Sequence, residues 1–124
     1  MALRTLIVDD EPIARKVLRE ELAEIPGVDI IGEADGGARA IAMIDELEPD
    51  LVLLDLQMPE VGGFEVIRRI GAGHRPPLLI IVTAWDRHAL QAFDAGAIDY
   101  LLKPVSQARL AQAIERARRA SGRE

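Results

Sequence analysis

Four positions along the chain carry residues able to do chemistry together. Asp9, Asp10 and Glu11 follow directly behind the apolar run Leu3–Val8, and Asp55 closes a second run, Leu51-Val52-Leu53-Leu54. Thr83 ends a third run and Lys103 comes just after a fourth. Carboxylates packed together repel and cannot all stay ionised. A hard divalent cation relieves this, and Mg²⁺ commonly binds through one or two carboxylates plus a phosphate while keeping several waters. Lys103 adds a compact positive charge. It is one of two lysines, with Lys16, in a chain that otherwise uses Arg. Mg²⁺, a Lys and a Thr hydroxyl around one Asp supply what a transferring phosphoryl group requires. Asp55 is then the candidate nucleophile, because a carboxylate can carry a phosphoryl group as an aspartyl-phosphate.

These residues act together only if the fold gathers them. After the first run the hydrophobic period changes: Ile13, Val17, Leu18, Leu22 and Ile25 follow a helical spacing from Pro12 to Pro26-Gly27. Val28–Glu33 reads as a second strand. Ala38–Leu47 reads as a helix with Ile41, Ile44 and Leu47 inward. Leu51–Leu54 and Leu78–Val82 are continuous apolar runs, the pattern of strands buried on both faces of a parallel sheet. Gly62-Gly63 precedes a third helix, Phe64–Ile70, and residues 71–77 read as loop. A fourth helix is expected over Asp86–Ala95 with Asp86 as its N-cap. A brief strand, Ile98–Leu101, follows. Ser106 caps a last helix running to about Ala120, with Leu110, Ala113, Ile114 and Ala117 inward. Strand and helix thus alternate five times. This predicts an α/β fold: a doubly wound five-stranded parallel sheet in the order 2-1-3-4-5. In such sheets ligands bind beyond the carboxyl ends of the strands. That is where Asp9, Asp10, Glu11, Asp55, Thr83 and Lys103 all fall. Glu33 and Asp35 end the second strand, at the sheet edge.

Composition narrows the function. The chain has 124 residues, 49% of them hydrophobic, enough for one domain with its own core. It has no cysteine, which removes thiol catalysis, disulfides and cysteine-ligated metals. His74 and His88, the only histidines, read as loop and helix-surface residues rather than ligands. A formal charge of −6 argues against direct nucleic-acid binding. Arg116, Arg118, Arg119 and Arg123 read as favourable charge near a helix C-terminus. No P-loop or G-x-G-x-x-G pattern is present. No apolar run approaches a membrane helix in length and no secretory leader is evident, so a cytoplasmic domain is expected.

Val8-Asp9-Asp10-Glu11-Pro12, Leu54-Asp55-Leu56-Gln57-Met58-Pro59, Val82-Thr83-Ala84 and Leu102-Lys103-Pro104 together resemble the receiver domain of two-component response regulators. The likeness spans roughly residues 3 to 120, and four motifs in order at four strand ends are specific. The resemblance implies a flavodoxin-like fold and a phosphoryl group accepted on Asp55 from a sensor histidine kinase. It implies Mg²⁺ held by Asp10, Asp55 and the backbone carbonyl of Gln57, with Asp9 contributing through water. Thr83 and Lys103 would contact the phosphoryl group, Tyr100 would turn inward as the switch aromatic, and Pro104 would follow a cis peptide bond. The face of the fourth helix, fifth strand and fifth helix would change and form a homodimer on activation.

The segment Trp85–Val105 is similar to receivers of the LytTR type, whose usual partner is a C-terminal DNA-binding domain. We therefore expect residues 1–120 to form the receiver and 121–124 to be a tail or the start of a linker. DNA would be contacted only through a domain outside this chain; a stand-alone receiver acting through protein contacts fits the residues nearly as well. Gln57 and Trp85 depart from the commonest forms, and Trp85 is expected to shield the acyl phosphate from water. Two other readings remain. A phosphorylation-independent binding module sits poorly with the intact Asp9, Asp10, Asp55, Thr83 and Lys103. An aspartyl-phosphate phosphohydrolase would want an acidic residue where Gln57 stands.

Overall fold

A computed structural model describes residues 2–73 and 75–122. Its elements are β1 (Leu3–Val8), α1 (Pro12–Ala23), β2 (Val28–Ala34), α2 (Gly37–Leu47), β3 (Leu51–Leu54) and α3 (Gly63–Gly71). They continue with β4 (Leu78–Thr83), α4 (Ala89–Asp94), β5 (Asp99–Leu102) and α5 (Gln107–Ser121). The sheet is parallel throughout, in the order β2-β1-β3-β4-β5. His74 and Arg123, read from the sequence as loop and helix-end residues, lie outside the described residues.

Alternation along each central strand divides the core in two, because successive side chains point to opposite faces. Leu3, Ile7, Leu51, Leu53, Ile80 and Val82 pack beneath α1 and α5. Leu6, Val8, Val52, Leu54, Leu79 and Ile81 pack beneath α2, α3 and α4. Both faces are covered, which is why β3 and β4 read as unbroken apolar runs. β2, at one edge, carries an irregularity: Thr5 pairs with Ile30 but Leu6 with Gly32, so Ile31 is an extra residue in the ladder. No helix among the described residues is long and apolar enough to cross a membrane.

Local signals fix most helix ends. Pro12 occupies the start of α1, where its missing N–H costs no hydrogen bond. Ser106 caps α5, its Oγ accepting the Arg109 N–H at 3.2 Å, and Gly122 closes the helix in the left-handed conformation.

Three sequence expectations need correction. Leu18, Leu22 and Ile25 are buried, but Ile13 is 78% exposed and Val17 is also exposed. At about 100° per residue the first three fall within a narrow arc, while Ile13 and Val17 form a separate stripe well away from it. α4 is shorter than expected: it begins at Ala89, and the residue at its cap position is His88, not Asp86. Asp86 does not cap a helix because the His88 N–H, one of the donors its side chain would take, goes to the Tyr100 hydroxyl. The Thr83 hydroxyl accepts the Trp85 N–H, and the Tyr100 hydroxyl donates to the Trp85 carbonyl. β5 is shifted by one residue, with the Ile98 N–H reaching back to Leu79 O at 2.8 Å.

β5 is fastened to α5 by charge. Asp99 is buried and accepts a bidentate pair from Arg109, Nη2 to Oδ1 at 2.6 Å and Nη1 to Oδ2 at 2.9 Å. Arg116 lies 3.3 Å away and the Tyr100 N–H also donates to Oδ1. Burial pushes the Asp99 carboxyl up, but Arg109, the Tyr100 N–H and Arg116 outweigh it and hold it below the ordinary aspartate value. A depressed carboxyl stabilises the fold fully above its unfolded pKa, near 3.9, and loses that contribution as the pH falls below it. Arg109→Ala is expected to cost about 2 kcal/mol, since Asp99 stays buried with its remaining partners. Urea unfolding curves at pH 7 measure this. Repeated toward acid, they should show the variant's deficit shrinking below about pH 4.

Candidate functional site

Register brings the site together. Val8 pairs with Leu54, so the next residues, Asp9 and Asp55, leave adjacent strands side by side. Thr83 pairs with Leu102, so Lys103 leaves β5 at the same end of the sheet. Backbone bonds extend this order past the strands: Asp9 N–H to Ala34 O, Asp55 N–H to Val8 O, and Lys103 N–H to Thr83 O at 2.9 Å. The Lys103–Pro104 peptide is cis.

The two carboxylates have the same local geometry. Asp9 Oδ1 accepts the Glu11 N–H at 2.9 Å, and Asp55 Oδ1 accepts the Gln57 N–H at 3.0 Å. Each is an Asx turn, in which a side chain bonds the backbone two residues on. The other oxygen of each accepts a hydrogen bond from one ammonium: Lys103 Nζ lies 2.7 Å from Asp9 Oδ2 and 3.0 Å from Asp55 Oδ2. Asp9 is 0% exposed and Asp55 3%. Glu11, well exposed, reaches to 3.5 Å from the same nitrogen.

Burial raises the Asp9 carboxyl above the ordinary aspartate value; Lys103 and the Glu11 N–H oppose this, and the charge of Asp55 adds to it. Burial alone would lower the Lys103 ammonium. The hydrogen bonds and charges of Asp9 and Asp55 outweigh it and raise the ammonium instead, so Lys103 is held charged.

Two further elements shape the pocket. Arg15 of α1 donates from Nη1 to the Asp9 carbonyl at 2.7 Å, while its Nε lies 3.4 Å from Glu33. The acidic loop is thereby braced to the end of β2. Gly63, at the start of α3, approaches the loop after β3 so closely that a Cβ there would lie 2.7 Å from the Asp55 carbonyl oxygen and 2.6 Å from Leu56 Cα. A larger residue would push the Asp55 loop out of place.

The predicted site residues fall as follows. Asp9, Asp55 and Lys103 are in direct contact. Thr83, the last residue of β4, is fully buried, and among the described residues its hydroxyl is engaged by the long 3.4 Å bond from the Trp85 N–H. Tyr100 is half-buried and its hydroxyl bonds the Trp85 carbonyl at 2.5 Å. Asp10 is half-buried. Among the described residues the carboxylates that could share a cation are Asp9, Glu11 and Asp55, one oxygen from each lying within 4.8 Å of the others; Asp10 stands outside that group. Three hard oxygen donors beside a backbone turn fit a divalent cation such as Mg²⁺. The sequence reading located Glu11 at the strand end but gave it no role, and missed Arg15. The acid triplet signals the first; no spacing signals the second. His88, read as a surface residue, is half-buried against the rings of Trp85 and Phe64.

A profile of the family described as "Response regulator receiver domain" matches residues 5–115. The chain is 41% identical over 116 residues to the transcriptional regulatory protein BtsR of Escherichia coli K12, a match covering 94% of this chain and 48% of that protein. It spans about half the length of the curated relatives it matches. Among solved structures, the response regulatory domain of mrkE from Klebsiella pneumoniae superposes with a TM-score of 0.90 at 26% identity, over 98% of this chain and 100% of that one. A chain of the CheX-CheY-BeF3-Mg complex from Borrelia burgdorferi superposes with a TM-score of 0.84 at 25% identity, over 90% and 86% of the two chains.

The electrostatics have a measurable cost. An acid whose folded pKa is raised loses stability as the pH climbs from its unfolded value through its folded one, so the cost is absent in acid and grows toward neutral pH. Asp9→Asn removes a buried negative charge beside Asp55 and keeps one acceptor oxygen of the two that now serve Lys103 and the Glu11 N–H. Its urea midpoint at pH 7 should exceed that of the wild type, and the gain should vanish near pH 3.

Proposed function

The chain belongs to the response regulator receiver domain family, and from that premise we propose that it is a switch worked by phosphorylation of Asp55. The observation that carries this reading is Lys103 Nζ, held between the buried Asp9 and Asp55 carboxylates at the carboxyl ends of the central strands. Receiver domains take Mg²⁺ in an acidic pocket and work with histidine kinases. In this chain Asp10, Asp55 and the Gln57 carbonyl would hold the ion, with Asp9 through water, and Glu11 is close enough to join them. When bound, Mg²⁺ neutralises charge on the phosphoryl oxygens.

The chain's own groups do the rest. An Asp55 oxygen attacks the phosphorus of a phosphohistidine on the sensor kinase. The new O–P bond forms as the P–N bond breaks, and the departing imidazole takes up a proton. Lys103 exchanges its contact with Asp55 Oδ2 for a phosphoryl oxygen while keeping Asp9. Thr83 gives up its long bond from the Trp85 N–H, a small loss, and donates to the phosphoryl group. Tyr100, bonded to the Trp85 carbonyl, follows that loop. The two arrangements of Thr83 and Tyr100 form the two-state element that the new charge biases.

The output face is built from α4, β5 and α5. It exposes Leu90 (77%), Phe93 and Leu102. Apolar side chains at this density on one side support a homodimer formed on activation. The domain acts in the cytoplasm, where the kinase's phosphohistidine is found. The likeness of Trp85–Val105 to LytTR-type receivers supports a DNA-binding domain of that type as the output, and control of transcription as the result.

Intact-mass measurement after acetyl phosphate and Mg²⁺ is the test of the chemistry. One added phosphoryl group is expected on the wild type, none with EDTA and none on Asp55→Asn. A wild type that stays unlabelled while a control receiver labels would leave the binding-module reading. The dimer face has its own test in size-exclusion chromatography with beryllofluoride, which should move the protein to twice its mass; an unchanged monomer would count against that face.

A further inference from the structure

His88 lies between two other rings. Its centroid is 4.7 Å from that of Trp85, tilted by 49°, and 5.7 Å from that of Phe64, near perpendicular at 72°. Both separations fall in the range of favourable aromatic pairs. The two outer rings stand on different segments, Phe64 in the first turn of α3, which backs the Asp55 loop, and Trp85 in the Thr83 loop. Phe64 opens α3 beside Gly63, whose N–H bonds Leu56 O, one residue past Asp55. Trp85 lies two residues past Thr83, with its N–H on the Thr83 hydroxyl and its carbonyl under the Tyr100 hydroxyl. β3 and β4 are neighbours, so these are the two loops that border Asp55 on this side of the sheet.

His88 bonds the Tyr100 hydroxyl through its backbone, and among the described residues its ring has no other evident task. It occupies the cap position of α4 but makes no side-chain cap hydrogen bond, and the helix behind it has only six residues. Its ring is half-buried although it stands in a loop.

We propose that Phe64, His88 and Trp85 form a clasp joining the Asp55 loop to the Thr83 loop, and that His88 is a positioning residue setting how long a phosphoryl group stays on Asp55. This rests on the phosphoacceptor reading above. Loss of the group is a hydrolysis. A water oxygen bonds to phosphorus, the P–O bond to Asp55 breaks, the carboxylate is restored, and inorganic phosphate leaves as a proton passes to solvent. The water must enter opposite the Asp55 oxygen, between loops that the three rings hold together. Removing the middle ring unlinks Trp85 from Phe64, which stays packed on the core, lets the Thr83 loop move away and admits water more often.

Trp85 is the chain's one tryptophan, so its emission reports on the clasp without a label. Two variants test the proposal: His88→Ala removes the ring and His88→Phe keeps one. In the unphosphorylated protein His88→Ala should red-shift the Trp85 emission, and His88→Phe should restore it. After labelling with acetyl phosphate and Mg²⁺ and rapid removal of the donor, His88→Ala should lose its phosphoryl group about fivefold faster than the wild type, the factor expected for the loss of an aromatic pair. His88→Phe should return to within about twofold of wild type. An unchanged lifetime in His88→Ala overturns the proposal, as does a shortened lifetime that His88→Phe fails to rescue. A wild type that takes no phosphoryl group defeats the phosphoacceptor reading instead. The emission spectra then decide the clasp alone: identical spectra for wild type and His88→Ala overturn it.

Discussion

One ammonium stands between two buried carboxylates, and much of the structure follows from that. Asp9 and Asp55 leave adjacent parallel strands in register, so their charges are forced close together in a place with little solvent. Such a pair is costly unless a cation shares it. Lys103 meets that need from β5, two strands removed from β3, which requires β5 to reach the same level as the central strands. The Asp99–Arg109 pair fixes β5 against α5 and so holds the cation's own strand in place. Two carboxylates against one ammonium leave the balance incomplete. The pocket retains excess negative charge, which suits it to a further cation.

The symmetry of the two acids is a backbone property. β1 and β3 end alike, each with an aspartate turned back onto the N–H two residues on. Each turn leaves one oxygen aimed at Lys103. What differs is how the following helix meets the turn. α1 braces its loop with Arg15 on the Asp9 carbonyl, while α3 comes in close through Gly63, where no side chain intervenes. The acid loop is held by a long charged arm and the Asp55 loop by direct backbone contact. Asp55 is thereby fixed in position.

Strand ends were readable from residue types because β3 and β4 are buried on both faces and stop where the apolar runs stop. Asp55, Thr83 and Lys103 could therefore be placed at one end of a sheet before any contact was known. Periodicity failed where one helix carries two apolar stripes. Ile13 and Val17 obey the same spacing as Leu18 and Leu22, yet only the second stripe meets the sheet. It failed again before α4, where the Tyr100 hydroxyl takes the His88 N–H that an Asp86 cap would bond. Contacts made across the fold by single side chains, such as Arg15 on the Asp9 carbonyl or His88 on Phe64, leave no trace in a linear pattern.

An open sheet has two edges, and the extra residue in β2 bears on the outer one. Val28-Asp29-Ile30-Ile31 is rich in strand-forming side chains and would, if flat, offer another chain a row of unpaired backbone groups. The irregularity at Ile31 sharpens the local twist and breaks the even spacing such a template needs. Gly32 follows at once, and Asp29 and Glu33 place charge along the same strand. This receiver domain is thus guarded against stacking edge to edge into aggregates.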